Sequence, residues 1–496
     1  MNNHIIKTAR YSLIVLLVTF SFSCNKLDED PNTFAFATPG TFYSTQTQIE
    51  GGLAGSMNKL WHSWTGYGYD EGAFVNDDQL DGGDLVIGDD NGDVLWAAHY
   101  SALMNINAIL KAIKEGSLSW DPNMTQEMID PLVAQAKFLR AFNYFYLVRM
   151  FGGVPLITED TPDPTLIPMP RATVAEVYAL IIEDLTFAEE FLPEAWDGRP
   201  GRPNRYAAKG LLAKVHLTMA GYPLNLGIPE YTLARDKAWE VINSGTCSLI
   251  PNCEDVFKAS NKYASEMLFS FNSTYDDLAT DPEIWVGSDY GDGGWGDKAA
   301  DPYFEQNWPE QPRKDAYLLT DWNGMHYTEF FEQTPFFKKF FYYISMDDFN
   351  GTNSPQNIPL LRYADVLMIY AEAANQVNGG PTAEAENRLD EVINRANGYV
   401  ANVDHPLTSG AGLSMQQFED RVLKERNWEL CAEFDRWFDI VRKRILDLPT
   451  VTYRPEDLLN YSIDDYLFPI PEIDQKLNPL LEQNPGYTDF RTNAGK

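Results

Sequence analysis

The chain has 496 residues and a formal charge of −34, from 72 acidic and 38 basic side chains. That balance argues against nucleic acid as a partner, because there is no basic surplus to displace counterions, and against electrostatic docking on anionic lipid. With 44% hydrophobic and 13% aromatic residues the chain can bury a sizeable core, so global disorder is excluded.

Residues 1–23 read as a signal peptide. Lys7 and Arg10 form a basic start, Tyr11 to Phe22 is an apolar run too short to span a bilayer comfortably, and Ser21-Phe-Ser leads into Cys24. A signal peptide that ends at a cysteine looks like a bacterial lipoprotein signal, with Cys24 as the lipidated residue. Ser21 stands where such signals prefer Leu. One acyl chain anchors weakly, so stable attachment needs several on that cysteine. Residues 24–38, with Asp28-Glu29-Asp30-Pro31, read as a solvated tether.

The region 39–250 opens with a short helix over 39–60, followed by a loop over 61–95 rich in Trp, Tyr, Gly and Asp. Long loops of this kind inside a compact domain are often functional. From about residue 97 the pattern turns helical. Leu132, Ala136, Leu139, Phe142 and Tyr146 make one apolar stripe, Val177, Tyr178, Ile181, Leu185 and Ala188 a second, and Ala208, Leu211, Leu212 and Val215 a third. Phe151-Gly-Gly-Val-Pro155 ends a helix, and Thr173 with Glu176 forms a capping box. Helix starts near 97, 132, 174, 207 and 232 lie close to the 34-residue tetratricopeptide period, so the reading is stacked helix pairs.

The region 251–496 begins with an irregular, loop-rich insertion over 251–358. Helices follow over about 360–377, 383–396 and 414–445, the last with Asp420–Lys424 and Asp439–Lys443 pairs expected on a solvated face. Pro469, Pro471, Pro479 and Pro485 make the tail an extended strap over the surface. Cys247 and Cys253 flank Pro251, a spacing that a disulfide can close in an oxidising compartment, and Cys431 reads as buried and inert. Six His without ligand-like spacing and few Cys argue against a metal centre. The acidic stretch 81–93 lacks the spacing of a calcium loop, leaving a calcium ion there as a minor alternative. Gly291 to Gly296 spells G-x-G-x-x-G with no strand before it, so no dinucleotide cofactor is expected.

Several strings carry a resemblance. AKFLRAFNYFYLVRMFGGVPLIT (136–158), AAKGLLAKVHL (207–217), LLRYADVLMIYAEAANQVNG (360–379), ERNWELCAEFDRWFDIVR (425–442) and LFPIPEIDQKLNPLLEQNPGY (467–487) resemble, in this order, the SusD/RagB family of outer-membrane nutrient-binding lipoproteins. The acidic residues behind Cys24 resemble the surface-export signal of Bacteroidetes lipoproteins. The resemblance implies a mostly α fold, with four tetratricopeptide-like helix pairs under a loop-rich ligand-binding part. It implies a lipid-anchored protein on the outer face of the outer membrane that is not an enzyme and has no cofactor. The implied partner is a SusC-like TonB-dependent transporter, and the implied ligand is an oligosaccharide, with peptide as the alternative. The quoted motifs themselves read as structural. Arg362 is expected in a cap or salt bridge, and the ER…WEL…E…R string in a buried or bridging charge network.

Sugars offer flat C–H patches ringed by hydroxyls, which aromatic faces and charged hydrogen-bonding groups match. Seven of the 12 Trp fall in 61–96 and 285–322. The candidate ligand-binding residues are therefore Trp61, Trp64, Tyr67, Asp77, Trp285, Trp295, Trp308 and Trp322, with Tyr69, Asp78 and Tyr290 as possible extensions. Trp96 reads as core, as do Trp120, Trp196, Trp239, Trp428 and Trp437, which lie in or beside helices. Two other function classes stay open: a glycoside hydrolase using two of the many carboxylates, and a helical scaffold without a small ligand.

Overall fold

A computed structural model describes residues 42–65, 91–120, 123–162, 168–198, 200–273, 299–322, 324–330, 333–339, 356–400, 408–410, 412–445 and 463–493. Its N-terminal half is a row of helix hairpins. Helix α1 (Gln46–Thr65) packs on α2 (Asn91–Lys114), α3 (Gln126–Phe151) on α4 (Val174–Phe191), and α5 (Arg205–Ala220) on α6 (Ile228–Ile242). Contacts of α2 with α3 and of α4 with α5 join the three hairpins into one layer. A mostly α, tetratricopeptide-like architecture is thus what the chain adopts.

Local chemistry explains the helix ends. Thr173 accepts from the Glu176 N–H at 3.3 Å while Glu176 Oε2 accepts from the Thr173 N–H at 2.8 Å, the expected capping box. Helix α3 stops at Gly152, whose φ of +73° an L side chain rarely adopts. The stripe from Leu132 to Tyr146 is buried as expected, but so is nearly all of α3 from Leu132 onward, because neighbours cover it on both sides.

After α6 the chain leaves the hairpin row and returns only at residue 358. The insertion contains an ordered strand that the sequence reading missed: β1 (Met267–Phe271) runs antiparallel to β2 (Ile358–Arg362), with Met267 opposite Arg362 and Phe271 opposite Ile358. Leu360 accordingly lies in a strand, not in the expected helix. Phe269 of β1 sets its ring edge against Phe138 and Phe142 of α3 at 4.8 and 5.3 Å, which seats the strand pair on the helix layer. Directly after β2, α7 (Tyr363–Asn378) and α8 (Ala383–Ala396) form a fourth hairpin, and α7 packs on α6 across the long excursion.

The expected helix over 414–445 is two helices, α9 (Met415–Leu430) and α10 (Arg436–Lys443). Between them Ala432 and Phe434 take φ of +58° and +66°. The break is a demand of buried charge. Lys339 Nζ takes the end carbonyls of Glu429 and Cys431 at 2.9 and 2.8 Å and the Glu433 carboxylate at 2.8 Å. Arg362 donates to the Glu429 carbonyl at 2.9 Å and to both Glu433 oxygens at 2.7 Å. These cations cap α9 and draw the chain aside.

Arg362 thereby sits in a cluster of four cations (Arg313, Lys339, Arg362, Arg395) and four carboxylates (Glu266, Glu425, Glu429, Glu433), all nine-tenths or more buried. It ties the insertion to α8 and α9. A second cluster joins α5, α7, α9 and α10 through Lys214, Asp365, Arg426, Asp439, Arg442 and Glu372. Asp439, expected on a solvated face, is 3% exposed and shared by Arg426 and Arg442. Although burial disfavours charge, the Arg442 and Lys443 cations hold the Glu372 carboxyl down at about 2.

The C-terminal tail wraps the end of α3, as the prolines predict, but includes a short helix, α11 (Glu472–Leu477). The Phe468 N–H donates to the Met150 carbonyl at 2.8 Å, and Asn484 Nδ2 to the Phe151 carbonyl at 3.0 Å. Cys247, Cys253 and Cys431 are free thiols, so the 247–253 bridge is not formed. Cys253 is buried, pointing its Sγ at the Arg395 carbonyl at 3.7 Å.

Candidate functional site

Helix α1, the 193–204 connection between α4 and α5, and strand β1 meet at one edge of the molecule. The connection is tied into a loop by the Arg205 N–H on the Pro193 carbonyl at 2.9 Å. Asn204 caps α5 through the Ala207 N–H at 2.9 Å. Inside the loop Trp196 Nε1 donates to the Pro203 carbonyl at 2.8 Å, and the Arg202 guanidinium lies 5.4 Å from the Trp196 ring centre. Arg202 Nη1 also reaches Glu50 of α1 at 2.8 Å.

Gly201 is the pivot. Its carbonyl accepts from Asn272 Nδ2 at 2.8 Å, and its φ is +86°. A Cβ on Gly201 would stand 2.4 Å from Asn272 Oδ1, so only glycine fits. Asn272 is held in turn by Asn357 Nδ2 at 3.1 Å, and Asn357 Oδ1 accepts from the Ser273 N–H at 2.8 Å. This chain of amides fixes the end of β1 against the residue before β2.

Two hollows flank the Gly201–Arg202 peptide. One, of about 200 Å³, is lined by Trp196, Asn204, Lys262, Tyr263, Asn272 and the β1 backbone around Phe269. The other, of about 180 Å³, lies between α1 and β1 and is lined by Glu50, Met57, Asn58, Trp61, Gln135 and Phe271. Gly201, Arg202, Phe269, Ser270 and Asn272 border both. On the first rim Tyr263 is 43% exposed and carries the Lys262 ammonium 5.3 Å from its ring centre. Lys262 Nζ donates to the Ser273 carbonyl at 2.9 Å, and burial lowers its pKa. Burial likewise raises the Tyr263 phenol, opposed by its hydrogen bond to Asn357. Aromatic faces, amides and cations on a concave surface are the chemistry that grips a hydroxylated ligand.

Trp61 is 2% exposed, and its ring meets the Phe271 ring edge-on at 5.9 Å and 89°. It borders the α1 hollow as a packed wall, which corrects the expectation of an open stacking platform. Trp308 is also 2% exposed, tilted against Phe304 at 5.1 Å and parallel to Trp428 at 6.3 Å. It packs in the core, which corrects the expectation of an exposed stacking face; a Trp among Pro and acidic residues need not face water when a neighbouring helix offers another indole. Trp96 packs against Phe151 at 5.0 Å as expected. Tyr67, Asp77, Trp285 and Trp295 fall outside the described residues, as do Cys24, Tyr69, Asp78, Tyr290, the 291–296 glycines and most of 81–93. Trp64 lies in the last turn of α1 and Trp322 in the short ladder Asp321–Trp322 with Met325–His326; their side chains are outside the description too.

Trp239, read as core, is instead 38% exposed. The reading of Trp196 as core is corrected too, since it is half-buried and lines a hollow. A signal for it was present: Gly-Arg-Pro-Gly-Arg-Pro over 198–203 is a basic, turn-rich string in an acidic chain. Among the described residues no group of three or more His, Cys, Asp or Glu is placed to hold a metal ion.

Two family profiles match this chain. The profile described as the SusD family covers residues 284–487, and one described as "Starch-binding associating with outer membrane" covers 43–217. The chain belongs to the SusD/RagB family. The SusD-like protein P2 of Formosa agariphila is 29% identical over 535 residues, spanning 97% of this chain and 100% of that protein. A SusD homolog from Bacteroides thetaiotaomicron superposes with a TM-score of 0.76 at 23% identity, over 92% of this chain and 100% of that one. A structure described as a laminarin-binding SusD-like protein gives 0.69 at 23% identity, over 90% of this chain and 100% of that one. These likenesses establish that the helix hairpins and the insertion described above are a SusD architecture.

Proposed function

We propose that this SusD/RagB protein is a non-catalytic, lipid-anchored protein of the outer cell surface that binds an oligosaccharide and delivers it to a SusC-like TonB-dependent transporter. The observation that carries the binding half is the furrow on either side of Gly201–Arg202, where Trp196 and Tyr263 stand beside amide and cationic donors. Each hollow has the volume of roughly one sugar ring, and aromatic faces with charge-assisted donors suit such rings. A similar architecture described as binding laminarin supports the same ligand class. Anchoring through Cys24 and delivery to a transporter rest on the sequence and the family, and the profile description of association with the outer membrane supports them.

The test is affinity electrophoresis of the soluble 25–496 chain in gels cast with a panel of polysaccharides, with reducing ends assayed afterwards and a peptide mixture titrated in parallel. Retardation by a polysaccharide without new reducing ends is the expected result. Heat of binding with peptides alone would move the ligand class to peptide, and new reducing ends would overturn the non-catalytic reading.

A further inference from the structure

The hollow beside Trp196 has a charge that the rest of the chain does not prepare for. The sequence carries nearly two acids for each base. Yet among the described residues that line this hollow stand two cations, Arg202 and Lys262, and no carboxylate. Both cations are positioned rather than waving in solvent. Glu50 holds Arg202 from the far side of the Gly201 peptide through Nη1 at 2.8 Å. The guanidinium has five N–H donors in a rigid fork, so this single anchor leaves others for a ligand. Lys262 is braced by the Ser273 carbonyl and by the Tyr263 ring.

We propose that this hollow is a subsite for an acidic sugar, one bearing a carboxylate or a sulfate ester, with Trp196 and Tyr263 against the ring and Arg202 and Lys262 on the anionic group. The proposal rests on the glycan-binding reading above and adds the class of glycan. The adjoining hollow carries Glu50 on its wall and is the place for a neutral residue of the same chain. The overall negative charge does not forbid this, because exposed charges farther than about 8 Å are largely screened at physiological salt. Carboxylate and sulfate share the negative charge and the acceptor oxygens, so the experiment separates them.

The test is calorimetric titration of the soluble chain with three probes: oligogalacturonate, the same oligomer after carboxyl reduction, and a carrageenan oligosaccharide for sulfate. Binding of one acidic probe at least about tenfold tighter than the reduced oligomer is expected, the worth of one charge-assisted hydrogen bond. Lys262→Gln should erase that preference and Lys262→Arg should keep it, both with unchanged thermal melting. Equal affinity for the acidic and reduced oligomers would overturn the acidic subsite and leave the glycan reading standing. An acidic preference that survives in both Lys262→Gln and Arg202→Gln would overturn its placement here. If all three oligomers and the polysaccharide panel give no binding, the glycan reading itself falls, and the subsite with it.

Discussion

The rings of Trp61 and Phe271 meet edge-on at 5.9 Å, although 210 positions of sequence separate them. Trp61 stands in the last turns of α1, just before 66–90, and Phe271 ends β1, just before 274–298. One buried contact therefore ties the end of α1 to the end of β1. The Ser273 N–H on Asn357 Oδ1 adds the start of β2 to the same knot. The furrow at Gly201 lies beside this knot, so the scaffold positions the candidate site through packing and amide hydrogen bonds.

This separates two kinds of Trp. Trp196→Ala and Tyr263→Ala should weaken oligosaccharide binding by about 1–3 kcal/mol, on the analogy of base–aromatic stacking, with little change in melting temperature. Trp61→Ala removes a side chain that is 2% exposed and should cost about 3–5 kcal/mol of stability. Calorimetry and denaturant titration on the three variants check the contrast. An unchanged affinity in both rim variants would move the site away from this furrow.

Gly201→Ala should destabilise the chain by about 1–3 kcal/mol and distort the furrow, since φ is +86° and the new Cβ would strike Asn272 Oδ1. Asn272→Ala removes the clash and the hydrogen bond together. In the double variant the two losses should sum to more than the measured cost, because the clash term vanishes. Strict additivity in a double-mutant cycle would show that the positive φ, not the contact, makes glycine necessary.

Arg362→Met breaks a guanidinium held by Glu266, Glu429 and Glu433, leaving three buried carboxylates short of a partner. Removing one side of such a buried pair costs about 3–5 kcal/mol. A loss below about 1 kcal/mol in denaturant titration would mean that Arg313, Lys339 and Arg395 re-pair the cluster without it.

The helix hairpins were legible because an apolar period of 3.6 and a capping box are local signals, as Val177 to Ala188 behind Thr173 illustrates. The charge network was legible in kind, from the ER…WEL…E…R string that resembles the family, but not in geometry. No local signal says that Glu433 must reach Lys339 and Arg362 across more than 70 positions, so the break between α9 and α10 was hidden. β1 was hidden for the same reason: its five residues are too few to show a period, and its partner lies beyond the insertion. At the candidate site, Trp composition misjudged burial. Trp61 and Trp308 pack on aromatic partners distant in sequence, whereas Trp196 is half-buried, with its Nε1 on the Pro203 carbonyl and its ring beside a hollow.

Acid should destabilise the chain in two separable windows. His99 is fully buried against Asn143, its Nδ1 2.9 Å from Asn143 Oδ1, while Asn143 Nδ2 donates to the Leu139 carbonyl. That network assigns the ring proton to Nδ1. Desolvation first, and then the Arg149 charge, lower its pKa to about 4, against the stabilising bond to Asn143. The unfolded chain binds this proton from about pH 6.5, so stability is full above that and falls as pH drops towards 4, by roughly 3 kcal/mol. Glu372 acts lower. Its folded pKa of about 2 lies below the ordinary carboxylate value, so its contribution is present above about pH 4.5 and is lost as pH falls towards 2. Urea titrations of the wild type and His99→Gln between pH 7 and 4 check the first window. The variant should lose the slope that the wild type shows there while keeping the steeper loss below pH 4. An identical slope in both would mean that His99 binds its proton as readily inside the fold as in the unfolded chain.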